Sequence, residues 1–129
     1  MENKTLGNTD VDGAKKNVSD LVVFGDGDMF KLLCKASSQA QGWMKSTKAM
    51  EIEGVGCVVH VTTQQKNTDG SYAVAEAVTF VPDTVILERR NEDGVAVERL
   101  LTHKGLATQY PDFRTLDSWY VQEEMDKQK

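Results

Sequence analysis

The alternation of apolar and polar positions is clearest between residues 55 and 103, where it predicts four strands arranged as two successive hairpins. Asp69-Gly70 and Asp93-Gly94 interrupt the alternation, and Asp-Gly suits a two-residue type I′ turn because both central residues need φ > 0. Folding about Asp69-Gly70 sets Val61 opposite Val78 and Val59 opposite Phe80, with Val58 facing Val81 on the other side of the ribbon. One face then holds Cys57, Val59, Val61, Tyr72, Val74, Val78 and Phe80. The other is small and polar: His60, Thr62, Ala73, Ala75, Ala77 and Thr79. Folding about Asp93-Gly94 sets Leu87 opposite Leu100, Ile86 opposite Leu101, Glu88 opposite Arg99 and Arg89 opposite Glu98. Each opposite-charge pair stabilises by a few tenths to about 1 kcal/mol, and a one-residue slip would lose both. Pro82-Asp83 joins the hairpins, so the expected product is a four-stranded antiparallel meander.

The flanks extend this sheet. Trp43 to Ile52 alternates as a strand, with Met44, Met50 and Ile52 on one side and Trp43, Lys45, Thr47 and Ala49 on the other. Glu53-Gly54-Val55-Gly56 makes the turn into the meander. Leu21-Val22-Val23-Phe24 reads as a short strand ended by Gly25-Asp26-Gly27. Asp28 then caps a helix running through Ala40, with Gly42 just past its end. Its apolar stripe would be Phe30, Leu33, Cys34 and Ser37, although Phe30, Leu32, Cys34 and Ala36 also alternate as a strand would. Pro111 can open a C-terminal helix with Phe113, Leu116 and Tyr120 on one stripe and Trp119 beside it. The fold class predicted is α+β in one domain over residues 20–122, with closure of the meander into a small barrel as a variant. Residues 1–19 read as a flexible polar arm and 123–129 as a frayed tail.

Charge and composition narrow the function. The 129 residues carry 15 Lys and Arg against 20 Asp and Glu, a formal net charge of −5. Binding to nucleic acid or an anionic membrane needs clustered cations, and here they are dispersed. No apolar run approaches the roughly 18 residues of a membrane-spanning helix. The polar N-terminus has no apolar segment of the kind a secretory signal carries, so a cytoplasmic setting is expected. Cys34 and Cys57 lie on segments that look buried and fit reduced thiols better than a disulfide framework.

No constellation of catalytic residues is apparent, and no metal or cofactor is implied. Gly25-Asp26-Gly27-Asp28 lacks the further oxygen ligands and closing Glu of a calcium loop, so it reads as a turn and cap. His60 and His103 are the only imidazoles and have no second ligand at metal-binding spacing. What remains is a surface. Trp43, Trp119 and Tyr120 lie near element ends, where aromatics anchor interfaces. His60, Thr62 and Thr79 line the small polar face, which a partner could approach closely.

Gly42-Trp43-Met44-Lys45-Ser46-Thr47-Lys48-Ala49-Met50, Gly56-Cys57-Val58-Val59-His60-Val61-Thr62-Thr63-Gln64-Gln65 and Ala75-Glu76-Ala77-Val78-Thr79-Phe80-Val81-Pro82 together resemble small proteins of tailed phages and prophages. That resemblance implies a host bacterial cytoplasm and either an accessory or a virion role; it assigns no site residue. The expected function is a non-catalytic protein-binding accessory protein with an unidentified protein partner. One alternative is a nucleotide-like ligand binder using an aromatic with Lys45, Lys48, Arg89 or Arg99. A minor virion or assembly component is another. Pairing of sheet edges in a homo-oligomer is expected under any of the three.

Overall fold

A computed structural model describes residues 11–116 of the chain. It contains a short helix, α1 (Val11–Asn17), and seven strands: β1 (Lys31–Ser38), β2 (Trp43–Ile52), β3 (Gly56–Lys66), β4 (Tyr72–Pro82), β5 (Thr84–Arg90), β6 (Ala96–His103) and β7 (Arg114–Thr115). The strands form two antiparallel sheets, one of order β1-β2-β3-β4 and one of order β6-β5-β7. Both sheets are open, so the barrel variant is not what forms. The architecture is mostly β, and helix is a minor component.

The expected single meander is cut at Pro82-Asp83. Asp83 adopts a left-handed φ of 57°, a conformation Asp tolerates better than most residues. Its N–H donates to the Val55 carbonyl, and its own carbonyl accepts from the Lys104 N–H, both at 2.9 Å. The chain therefore leaves the first sheet at this corner, and β5 starts a second sheet instead of pairing with β4. Gly56 packs against the same corner with φ 154°. A Cβ there would lie 2.3 Å from the Val81 carbonyl oxygen, so only glycine fits.

Both hairpins use a wider turn than the type I′ expected. Gly70 N–H donates to the Asn67 carbonyl and Asn67 N–H to the Ser71 carbonyl; Gly94, Asn91 and Val95 repeat the arrangement. Gly70 and Gly94 are left-handed, at φ 89° and 78°, whereas Asp69 and Asp93 are not. These are three-residue loops, a type I turn followed by a glycine bulge. The first hairpin accordingly slips by one residue from the predicted register: Val58 faces Phe80, Val59 faces Thr79 and His60 faces Val78. In the second hairpin a bulge at Val97 absorbs the extra residue, and Glu88↔Arg99, Leu87↔Leu100 and Ile86↔Leu101 pair as predicted.

Residues 28–40 contain strand β1 in place of the expected helix. Asp28 Oδ1 does accept a backbone bond, from Phe30 N–H at 2.9 Å, but this local turn leads into an extended segment. Pairing with β2 takes up one side of the β1 backbone and fixes the segment as a strand. The register shift between Leu32 and Cys34 breaks the Phe30/Leu32/Cys34/Ala36 alternation, however: Leu33 packs against the core and Cys34 is exposed. Residues 21–24 form no strand: Val22 and Phe24 are 94% and 98% exposed, and the sheet ends at β1. Within the expected arm, residues 11–17 form α1. Pro111-Asp112 lies in a turn and β7 follows, so no helix starts at Pro111; the rest of the predicted C-terminal helix lies outside the described residues.

One face of the first sheet meets the second sheet. Ala49, Cys57 and Ile86 are fully buried there, with Leu33, Val59, Leu101 and Leu116 packed around them. Polar groups also cross the gap. Glu51 Oε1 accepts from Ile86 N–H at 2.8 Å, and the Cys57 thiol donates to the Thr84 carbonyl at 3.5 Å. The core is small: among the described residues the buried apolar side chains are Ala49, Cys57, Ile86 and Leu87.

Candidate interaction surface

Two open sheets have four edges, and three of them are blunted. β1 carries Lys31 and Lys35 and is kinked by a register shift between Leu32 and Cys34. β6 is bulged at Val97 and carries Glu98 and Arg99. β7 is two residues long. Lysines, bulges and short length are the usual means by which an edge avoids pairing with another chain. β4 has none of these.

β4 spans eleven residues, pairs without a register break against β3, and carries one charged side chain, Glu76. All its residues are exposed except Val81. Tyr72, Val74, Val78 and Phe80 retain 45%, 53%, 64% and 46% of their accessible surface, and all four point to one face. Ala73, Ala75, Ala77 and Thr79 occupy the other. The result is a long apolar edge, bounded by Pro82 at one end and the Asn67–Ser71 turn at the other.

The one-residue slip regroups the residues predicted for this region. His60 and Thr62 share a face with Glu76, Val78 and Phe80, because His60 opposes Val78 and Thr62 opposes Glu76. Thr79 lies on the opposite face with the alanines, so the predicted His60–Thr62–Thr79 surface does not exist as one patch. His60 Nε2 is 3.6 Å from Glu76 Oε1, and its ring stacks at a tilt on Phe30, with centroids 5.7 Å apart. Thr62 is buried at 7% exposure, in a row with Ser46 and Gln64. Trp43, at the start of β2, points to the face away from His60 and donates its indole N–H to Gln41 Oε1 at 3.1 Å. Trp119 and Tyr120 lie outside the described residues.

The cations considered for a phosphate are not gathered. Lys45 and Lys48 project from opposite faces of β2, and Lys48 sits 4.0 Å from Asp28. Arg89 pairs with Glu98 at 3.1 Å in the open. Arg99 faces inward, its Nε 2.8 Å from Glu88 Oε2 and its Nη1 bonded to the Leu32 carbonyl at 3.0 Å. Arg90 donates to the other Glu88 oxygen. Burial alone would raise the Glu88 carboxyl pKa, but the hydrogen bonds and charges of Arg90 and Arg99 outweigh it and hold the group below its ordinary range. Glu88 thus ties β5 to β6 and, through Arg99, to β1 of the other sheet.

A cleft beside the 52–56 turn, reaching Thr84 and Lys104, encloses about 110 Å³, below the roughly 300–1,000 Å³ of typical small-molecule pockets. The two thiols differ. Cys34 is exposed, contrary to the burial expected for it, and Cys57 is buried. Burial pushes the Cys57 thiol upward; the Thr84 hydrogen bond only partly opposes that, and the nearby Glu51 charge adds to it. Among the described residues no helix is long and apolar enough to cross a membrane.

The slip could have been read from the two loops themselves. Both are Asn-X-Asp-Gly, Asn67-Thr68-Asp69-Gly70 and Asn91-Glu92-Asp93-Gly94. Asn at the first position and Gly at the fourth are the preferences of a type I turn. Asn91 Oδ1 accepts from Asp93 and Val95 N–H, and Asp69 Oδ1 accepts from the Ser71 N–H and hydroxyl.

The chain belongs to the Lockin family, whose model matches residues 1–97. That span includes both edges of the first sheet and stops within β6. No curated protein and no solved structure matches the chain.

Proposed function

We propose that this Lockin-family protein is a non-catalytic binding protein, encoded by a phage or prophage, that acts in the bacterial cytoplasm by contacting another protein chain through β4. The observation that carries this reading is the contrast among the sheet edges: three are blunted, and the fourth is long, regular and apolar. An added strand would satisfy the outward backbone groups of β4 and cover Tyr72, Val74, Val78 and Phe80, the two elements of β-augmentation. A nucleotide-binding role has weaker support, because Lys45, Lys48, Arg89 and Arg99 point in different directions and three of them face carboxylates.

Photo-crosslinking in cells tests the reading. A photoreactive phenylalanine analogue at Tyr72 or Val78 is expected to give protein adducts, and the same analogue at exposed Val95 or Leu106 is not. Equal yields at all four positions, or no adduct from β4, would refute it. Nucleotides at concentrations far above a plausible Kd should leave the thermal melt unchanged.

A further inference from the structure

We infer that the chain that pairs with β4 is β4 of a second copy, antiparallel about a two-fold axis at Glu76. This rests on the reading of β4 as a binding edge and names its partner. The argument starts from hydrogen-bond direction. Asn67 N–H bonds the Ser71 carbonyl, so the pair 67/71 is of the hydrogen-bonded type, and so are the pairs that follow at every second residue of β4. Residues 73, 75, 77 and 79 therefore direct their backbone groups to β3. Tyr72, Val74, Glu76, Val78 and Phe80 direct theirs outward, and these are also the residues whose side chains share the apolar face.

The sequence of β4 is nearly palindromic over residues 72–80. About Glu76, Ala75 mirrors Ala77, Val74 mirrors Val78, Ala73 mirrors Thr79 and Tyr72 mirrors Phe80. A two-fold at Glu76 consequently places Val74 opposite Val78 of the partner copy and Tyr72 opposite the partner's Phe80, each twice. Aromatic and β-branched cross-strand pairs are the favourable kinds. Moving the axis to Ala75 leaves Phe80 facing Gly70, and moving it to Ala77 sets Tyr72 against Pro82. A self-complementary patch is what an isologous dimer requires. It would join the two four-stranded sheets edge to edge. The one unfavourable pair is Glu76 against its own copy, and each carboxylate has His60 of its own chain 3.6 Å away.

Light scattering after gel filtration, at two concentrations, is expected to give twice the 14.3 kDa chain mass. In a Cys34→Ser background, mixed Val74→Cys and Val78→Cys chains should form an intermolecular disulfide under mild oxidation. Neither variant should do so alone, since residue 74 lies about 13 Å along the strand from its own copy. Glu76→Gln should tighten association about two- to fivefold by removing a like-charge pair. Val78→Pro should give a folded monomer, because the N–H it removes points away from β3. A monomer at both concentrations with no mixed disulfide overturns the inference. So does Val74→Cys crosslinking to itself, or a mass above the dimer, which would signal head-to-tail contacts. If β4 still gives photo-adducts to another protein, binding through the edge stands and only the second copy falls; if it gives none, both fall.

Discussion

Removing the Glu88 carboxylate should be among the most damaging single changes in the chain. Glu88 is 2% exposed and receives Arg90 and Arg99. In Glu88→Ala the Arg99 guanidinium stays between the sheets, held by the Leu32 carbonyl, without its counter-charge. Breaking one side of a buried ion pair costs about 3–5 kcal/mol, which for a domain of this size is roughly a 10–20 °C fall in Tm. Arg89–Glu98, one residue further along both strands, provides the control. Its side chains are 42% and 51% exposed, so Arg89→Ala should cost about 1 kcal/mol or less. Chemical denaturation of both variants and a double-mutant cycle of Glu88 with Arg99 test the account. A charge-assisted hydrogen bond of this kind predicts a coupling of about 1.5–3 kcal/mol. A Glu88→Ala cost under about 1 kcal/mol, or a coupling no larger than that of Arg89 with Glu98, would refute the reasoning. If self-association accompanies folding, both must be compared at one protein concentration.

The pH dependence follows with a definite sign. Folding holds the Glu88 carboxyl below its ordinary range, so the folded state binds this proton less readily than the unfolded chain. The stabilisation is complete above the ordinary carboxylate range and is lost as pH falls through the lowered folded value. Stability of the native chain should therefore drop in acid, and Glu88→Gln should flatten that drop while lowering stability near neutrality. An acid limb of the same depth in both would contradict this assignment.

Further outcomes test the corner, the turns and the thiols. Gly56→Ala sets a Cβ against the Val81 carbonyl and should cost well over 1 kcal/mol by denaturant titration; Gly54→Ala, with open space around it, should cost less. Asn91→Ala removes the side-chain acceptor for Asp93 and Val95 N–H and should destabilise by about 0.5–1.5 kcal/mol, whereas a true type I′ turn would be indifferent to it. In native protein a thiol reagent should modify exposed Cys34 quickly and buried Cys57 only on unfolding. Equal rates would contradict the packing of Cys57 under Thr84.

How far the fold could be read from the chain depends on where each strand's register is set. β2 is unbroken over ten residues against β3, and its alternation reports both faces correctly. The second hairpin was legible because its bulge at Val97 cancels the extra loop residue before the charged pairs begin. The first hairpin has the same loop and no compensating bulge, so every assumed pair shifted by one. The β1 segment could not be decided locally, since its two apolar patterns fit helix and strand about equally and only the β2 partner separates them. The Pro82-Asp83 corner was visible as a link, but its direction depends on bonds to Val55 and Lys104, far away in sequence.

The register slip also decides what β4 presents. In the predicted pairing, Tyr72, Val74, Val78 and Phe80 share one apolar face with Cys57 and Val59. In the structure Cys57 and Val59 turn toward Ile86, and those four residues turn the other way, alongside His60 and Thr62, and stay exposed. An apolar strand face looks the same in a sequence whether it is covered by its own chain or awaits another. What separates the cases is the core actually formed, and here the described part closes around Ala49, Cys57, Ile86 and Leu87, leaving the longest regular strand edge uncovered. Four exposed side chains of this size, each recovering about 25 cal/mol for every Å² of apolar surface buried, supply a drive toward a covering strand. The single Glu76 among eleven residues is too little charge to oppose it.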